Sequence, residues 1–514
     1  MRKKSLTALT AKNPCRRRRV CDNLERVTEN VNENNELRIA VVGAGPAGVY
    51  SSDIFLRQLK KTGEELGLGA KARIDLFEKL PVPFGLVRYG VAPDHPSIKF
   101  IADALEKTLD NPDIHLYCDV EFGKDITLDD LLARYDAVLF ATGAVADKPL
   151  LIPGANLQGV FGAARFVEWY DGYPTGAREW PLDAEQVAVI GGGNVAMDVA
   201  RELMRDAEDL KARTDIPDNV YEGIKANRAK ELHLFVRRGV AQTKFSVQEL
   251  REMEKLPGVQ LVINEDDFDL DDETVERAGA NKLTRQMVEE LFSIREMAED
   301  MEDDGGADFE GNPAKRKYYL HFNADPVEII GADGKVEAIR VERTETGADG
   351  TMHRTGEFED IPVQAVYHAI GYKPASVPDV AYDEARTVLA NDGGRILAAA
   401  SGEIGLSEVL PRLYATGWAK RGPSGLIGST KSDALLIVTN MLDDFSKDGA
   451  AGRVAPDRDP ASVDQLLASR GVAPIDFAGW KRIDAFERSE GAKEGREHKK
   501  VVEPEELRRL ARGE

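Results

Sequence analysis

An α/β fold built twice over is predicted by three features of the 514-residue sequence. Two short apolar runs, LRIAVV (37–42) and QVAVI (186–190), each pass directly into a glycine-rich turn. Each turn leads into a helical stretch, and each helical stretch into another apolar run, RIDLF (73–77) and ELHLFV (231–236) respectively. Strand, helix and strand in that order give parallel strands with helices on the sheet faces. The two beginnings lie about 150 residues apart, and the chain is too long for one ordinary core, so two domains are expected.

Composition narrows the class. With 42% hydrophobic and 31% charged residues the chain reads as globular and soluble. It has no apolar run of about 18 residues, so no membrane insertion is expected. A formal charge of −22 opposes a nucleic-acid role. The three cysteines, Cys15, Cys21 and Cys118, contain no CxxC or CxxxxC pair. They can build neither a redox disulfide centre nor an iron–sulfur cluster, and a reducing compartment, the cytoplasm, is expected. The seven histidines are scattered, so no metal site is expected.

Along the chain, residues 1–36 read as a basic tail: the first 21 contain no Asp or Glu, and Arg16 to Arg19 are consecutive. This is either a disordered extension or a transit peptide for an organelle matrix; without an apolar stretch it does not resemble a secretion signal. Structure begins at Leu37, and the first helical stretch runs to about Leu66. DAVLFATG (136–143) reads as a buried strand ending in a tight turn. Residues 264–314 are acidic and helix-like, ending in an exposed loop. KYYLHF, VEAIRVERTE (336–345) and AVYHAIG (365–371) read as strands, and RLYATGW (412–418) as a strand entering another turn. Beyond Ser446 the chain is polar, partly helical and without identifiable chemistry.

The first turn, Gly43-Ala44-Gly45-Pro46-Ala47-Gly48, fits the G-x-G-x-x-G dinucleotide fingerprint. The first glycine permits the tight turn, the second lets backbone approach a pyrophosphate, and the third lets helix and strand pack closely. The helix that follows aims its unpaired N–H groups at the phosphates. Glu78, at the end of the next strand, can accept both ribose hydroxyls and would repel a 2′-phosphate. This site suits FAD or NAD.

The second turn, Gly191-Gly192-Gly193-Asn194-Val195-Ala196, has the allowed alanine in its last place. Here the acidic residue is missing, and Arg237 and Arg238 stand at the end of the following strand. Two guanidinium forks suit a phosphate, which makes NADP the natural ligand. Two sites of opposite ribose chemistry suggest one bound flavin and one exchangeable nicotinamide.

The chain resembles the adrenodoxin-reductase-type ferredoxin–NADP reductases over nearly its whole length after the tail. The segments that carry the resemblance are FGLVRYGVAPDHP (84–96), GGGNVAMDVAR (191–201), RRG (237–239), ELREM (249–253), IGYK (370–373) and GWAKRGPSGLIGS (417–429). It implies two Rossmann-like nucleotide-binding domains, the NADP domain (146–369) inserted into an FAD domain (37–145 and 370–446), with a polar C-terminal extension at 447–514. By motif, Ala47, Glu78, Leu86 and Val120 should contact FAD. Trp418 and the Gly425-Leu426-Ile427 backbone should lie against the flavin and the nicotinamide site. Gly192, Gly193, Asn194 and Val195 should face the NADP pyrophosphate, with Lys148 a further phosphate contact and Glu249 near the nicotinamide amide. His95 and Glu252 match a His–Glu pair near the flavin whose role is orientation or proton handling. One departure is Val240, where the family often has proline after RRG; a small local change is expected.

The resemblance implies hydride transfer from NADPH to FAD and single-electron transfer to a ferredoxin-type iron–sulfur protein, with a monomer expected. An acidic ferredoxin would need a local basic patch, for which Arg251 is the first candidate and Lys282 and Arg285 are weaker ones. Two rival readings are the NADPH-oxidising subunit of a larger flavoenzyme, such as a glutamate synthase, and a non-catalytic NADP sensor of the same fold. The first usually brings cluster cysteines, and the second would not be bleached by NADPH.

Overall fold

A computed structural model describes residues 36–95, 100–264, 272–302, 306–347, 351–399, 408–425, 427–448, 455 and 457–514. The basic tail, apart from Glu36, lies outside the described residues, as does Leu426.

Leu37–Val42 is buried along its full length, as a strand covered on both faces requires, and is apolar except for Arg38, which is buried beside Asp75. It pairs in parallel with Ala72–Glu78 on one side and Ala137–Phe140 on the other. Ile114–Cys118 extends the sheet beyond Ala72–Glu78. On the opposite side the chain returns after a long excursion: Val409–Ala415 lies parallel to Ala137–Phe140, with Ala415 beside Phe140. Antiparallel strands Arg395–Leu397 and Asn391–Asp392 close that edge.

The second sheet repeats the design. Gln186–Ile190 sits between Ala365–His368 and Glu231–Phe235, with Val160–Gly162 at one edge and Arg316–His321 then Val259–Val262 at the other. Every pairing in it is parallel. A three-stranded antiparallel sheet, Ala324–Ala332, Lys335–Thr346 and Met352–Pro362, covers one face. It does so by burying Ile329, Ile339, Val341 and Ile361 against Ala188, Ile190 and Phe235.

Between the two sheets the chain runs out through Ala146–Asp147 and back through Tyr372–Lys373, and these two stretches pair antiparallel. The Lys148 amide donates to the Gly371 carbonyl at 3.0 Å. Two adjacent crossings of this kind form a compact connection between the two sheets.

Residues beyond 457 are structural. Helices Ser462–Ser469, Phe477–Lys493 and Pro504–Arg512 follow one another. Trp480, Ile483 and Leu507 join the core under the first sheet. Lys500, 4% exposed, donates to the Arg88 carbonyl at 2.9 Å and to Asp171 Oδ1 at 3.0 Å. Arg496 donates to the Ile216 carbonyl at 2.9 Å, and Arg508 pairs with Asp119. The segment thus touches residues of both units. Its role is hidden in the sequence because the buried face of Phe477–Lys493 includes Asp484 and Glu487, which imitate a solvated surface.

Candidate functional site

The three glycines of the first turn have three different reasons to be glycine. Gly43 has φ +111°, and a Cβ there would lie 2.5 Å from the Ala141 carbonyl oxygen. At Gly48 a Cβ would lie 2.0 Å from the Gly43 oxygen, so helix and strand could not approach. Gly45 is otherwise: its φ is −76°, and a Cβ would meet nothing closer than the Gly85 Cα at 4.0 Å. The fold does not require Gly45; the space beside it does. It caps the helix Pro46–Thr62 with no side-chain bond, so the first-turn N–H groups face that space unpaired. A pyrophosphate fits this cradle.

Other predicted residues gather around it. Glu78, buried at the strand end, accepts from the Ala44 amide at 3.0 Å and the Leu80 amide at 3.1 Å. Burial raises its pKa. Val120, also buried, donates its amide to the Glu78 carbonyl at 2.9 Å. Leu86 opens a short helix just after Gly85, the residue nearest Gly45. The returning segment closes the cradle: Gly417, at φ +62°, sits where a Cβ would lie 2.6 Å from the Ala47 Cβ. Asp433, which the sequence reading did not single out, holds this approach by accepting the Gly417 amide at 2.7 Å and pairing with Lys420. Gly425, at φ +79°, precedes the helix that Ile427 opens.

The second turn repeats the logic. Gly191 has φ +150° and a Cβ would lie 2.5 Å from the Ala369 oxygen; at Gly192 it would lie 3.0 Å from Val236 Cγ1. At Gly193, the uncapped N-terminus of the helix Asn194–Met204, nothing lies within 4 Å. Asn194 accepts from the Ser246 amide at 3.1 Å, tying the turn to the helix Val247–Glu254. Arg237 is exposed and Arg238 half-buried, and neither guanidinium has a hydrogen bond or ion pair among the described residues. Val240 begins a single 3-10 turn, Val240–Gln242. Lys148 lies along Gly371 at the crossing. Val195, from this turn, and Trp418, from the returning segment, pack on one small cluster of Ala144, Ala164 and Tyr372. The two cradles therefore meet across the crossing.

Beside that junction lies a dense ionic cluster. His95 Nδ1 is 3.3 Å from Glu252, and its Nε2 is 3.1 Å from Asp198 and 3.5 Å from Glu249. Arg201, fully buried, binds Asp94, Asp198 and Glu249. Burial opposes a charged imidazole, but hydrogen bonds to Asp198 and Glu249 outweigh it and lift the His95 pKa to about 10. A charged ring donates from Nε2 to Asp198, and Arg201 is then held by its carboxylates. Asp198 and Arg201 carry no role in the sequence reading, although three charged residues, Asp198, Arg201 and Glu202, on a buried helix are a readable signal.

Because the His95 pKa is raised, the stability it contributes is complete below about pH 6.5 and is lost as pH rises through about 10. The melting temperature of the wild type should therefore fall on going from neutral pH to pH 10, and the His95→Gln variant should lose less over the same range. Parallel thermal melts check this; equal falls would place the charge of His95 elsewhere in importance.

Cys118, the one cysteine among the described residues, is buried, and burial pushes its thiol pKa well up, the opposite of a redox thiolate. Residues 37–266 match the family model described as pyridine nucleotide-disulphide oxidoreductase. An NADPH-ferredoxin reductase FprA of Mycobacterium tuberculosis is 37% identical over 92% of this chain and 99% of its own length. The mitochondrial NADPH:adrenodoxin oxidoreductase of Homo sapiens is 35% identical over 92% of this chain and 91% of its own. The solved structure of M. tuberculosis FprA in complex with NADPH superposes with a TM-score of 0.81 at 34% identity, covering 93% of this chain and all of that one. With the paired glycine cradles, the arginine pair and likeness along nearly the full length, the chain belongs to the adrenodoxin-reductase-type ferredoxin–NADP reductase family.

Proposed function

We propose that the protein is an FAD-dependent reductase that oxidises NADPH and passes electrons singly to a ferredoxin-type iron–sulfur protein. The observation that carries this reading is the packing of Val195 and Trp418 on one cluster, which brings two cradles of opposite ribose chemistry to a shared junction. FAD would be held by the first turn, with Glu78 on its ribose, and NADPH by the second, with Arg237 and Arg238 on its 2′-phosphate. Bound flavin supplies the conversion of a two-electron hydride into single electrons. The chain's own task is placement. Gly45 and Gly193 admit the pyrophosphates, Trp418 and Tyr372 shield the junction from water, and Glu249 and His95 fix charge beside it. No nucleophile is needed.

The cytoplasm is the favoured compartment, with an organelle matrix the alternative that the basic residues 1–36 raise. No described helix is long and apolar enough to cross a membrane. The partner must approach a chain of net charge −22, so exposed cations decide where it docks. Arg251 is a weaker candidate than its sequence suggests, because Glu290 binds it through both oxygens at 2.7 Å and offsets its charge. Lys282 is exposed with no ion pair among the described residues, and Arg285 spends its hydrogen bonds on the neutral carbonyls of Ala278 and Gly279. Reversing both charges, Lys282→Glu with Arg285→Glu, should slow ferredoxin reduction at low salt by on the order of 10-fold and flatten its salt dependence. Reduction of the flavin by NADPH should stay normal. Stopped-flow measurement of the two half-reactions checks this, and unchanged ferredoxin kinetics would move the docking face elsewhere.

A further inference from the structure

The helix Asn194–Met204 buries Arg201 among Ala196, Met197, Val199, Ala200 and Leu203. A guanidinium removed from water is costly unless its N–H groups find acceptors. Arg201 finds them on three separate segments. Nε and Nη2 both bind Asp94, Nη2 at 3.0 Å from Oδ1. Nη2 also reaches Asp198 Oδ1 at 2.6 Å, and Nη1 reaches Glu249 Oε2 at 2.8 Å. Asp94 belongs to the loop that carries His95 from the first unit, Asp198 lies one turn back on the same helix, and Glu249 stands on Val247–Glu254. The ligand atoms of His95, Asp198 and Glu249 lie within 4.8 Å of one another, close enough to hold a metal ion. The guanidinium already supplies positive charge there, donating to the same Asp198 and Glu249 carboxylates that face His95.

We propose that Arg201 is a positioning residue for hydride transfer, its planar fork fixing the Glu249 carboxylate against both the His95 loop and the second nucleotide turn. The inference rests on the reading of the protein as an NADPH-oxidising flavoenzyme with Glu249 beside the nicotinamide. Oε2 of Glu249 is taken by Arg201, and Oε1 makes no hydrogen bond among the described residues. Anchoring one oxygen orients the other as an acceptor for a carboxamide N–H. A lysine at position 201 would keep the charge, but as a point donor on a flexible stem it cannot hold Asp94 and Glu249 in one plane.

The test compares the wild type, Arg201→Lys and Glu249→Ala as flavin-loaded proteins. Calorimetry gives the affinity for NADP and for 2′-phospho-ADP-ribose, which lacks the nicotinamide; their ratio isolates the nicotinamide end. Stopped-flow gives the limiting rate of flavin reduction. In Arg201→Lys the fragment should bind as in the wild type, the ratio should drop on the order of 10-fold, and the limiting rate on the order of 10- to 100-fold. Glu249→Ala should show the same loss of ratio. A lower melting temperature with ratio and rate intact would make Arg201 merely structural and overturn the proposal. If Glu249→Ala keeps the ratio, the placement of Glu249 at the nicotinamide fails instead. Should Arg201→Lys not fold, Asp94→Asn loosens the same fork from the other side and is read by the same criteria.

Discussion

Replacing Gly45 with valine should give a folded protein that is largely free of flavin. The backbone at Gly45 is in an ordinary extended conformation, and a Cβ there meets no atom of the chain closer than the Gly85 Cα at 4.0 Å. A β-branched side chain would instead occupy the space in front of the unpaired N–H groups of Pro46–Thr62, where the pyrophosphate must come. The free N–H groups of Ala47 and Gly48 would each supply a charge-assisted hydrogen bond worth about 1.5–3 kcal/mol, so excluding the phosphates should lower affinity by on the order of 100-fold or more. The neighbouring Gly48→Val makes the contrast. Its Cβ would sit 2.0 Å from a backbone oxygen, so that variant should lose stability with or without flavin. Flavin absorbance per chain, together with circular dichroism, separates the two outcomes. Full flavin occupancy in Gly45→Val would mean that the first turn is not the flavin site.

Removing either arginine from the second site should change the choice of coenzyme. Neither the Arg237 nor the Arg238 guanidinium has a hydrogen bond or ion pair among the described residues, so truncating the side chains breaks no such contact and stability should hold. The loss falls on the 2′-phosphate contact, about 1.5–3 kcal/mol, or on the order of 10- to 100-fold in affinity. Use of NADH, which has no such phosphate, should change little. Arg238 is half-buried and Arg237 exposed, so the larger effect is expected at Arg238, where water screens the pair less. Steady-state kinetics with both coenzymes decide this. Equal damage to NADPH and NADH use would remove the arginines from the phosphate.

The parts of the molecule that obey local rules were legible before the structure. QVAVI is the strand Gln186–Ile190 to the residue, and LRIAVV is Leu37–Val42, because parallel strands covered on both faces are predominantly apolar. The glycine turns were legible because each glycine answers a separate steric demand. What was not legible depends on distant partners. Asp94, Asp198 and Glu249 are far apart in sequence and become one site only when Arg201 is surrounded. Arg251 looks like a free cation until Glu290, 39 residues away, is seen beside it. The buried carboxylate of Glu487 conceals the packing of the C-terminal helices, since its partner Arg88 lies 399 residues earlier. Ion pairs of this kind leave no periodic trace.

On this reading the first cradle holds one FAD and the second presents NADPH to it. This arrangement is tested most directly by the visible spectrum of the purified protein under anaerobic titration. The protein should be yellow with about one FAD per chain, bleached by NADPH at near-equimolar amounts and by NADH only at much higher concentration. Adding an oxidised ferredoxin should restore the colour while two ferredoxins are reduced for each NADPH consumed. A colourless protein, or a yellow one that NADPH leaves unbleached, would contradict this reading.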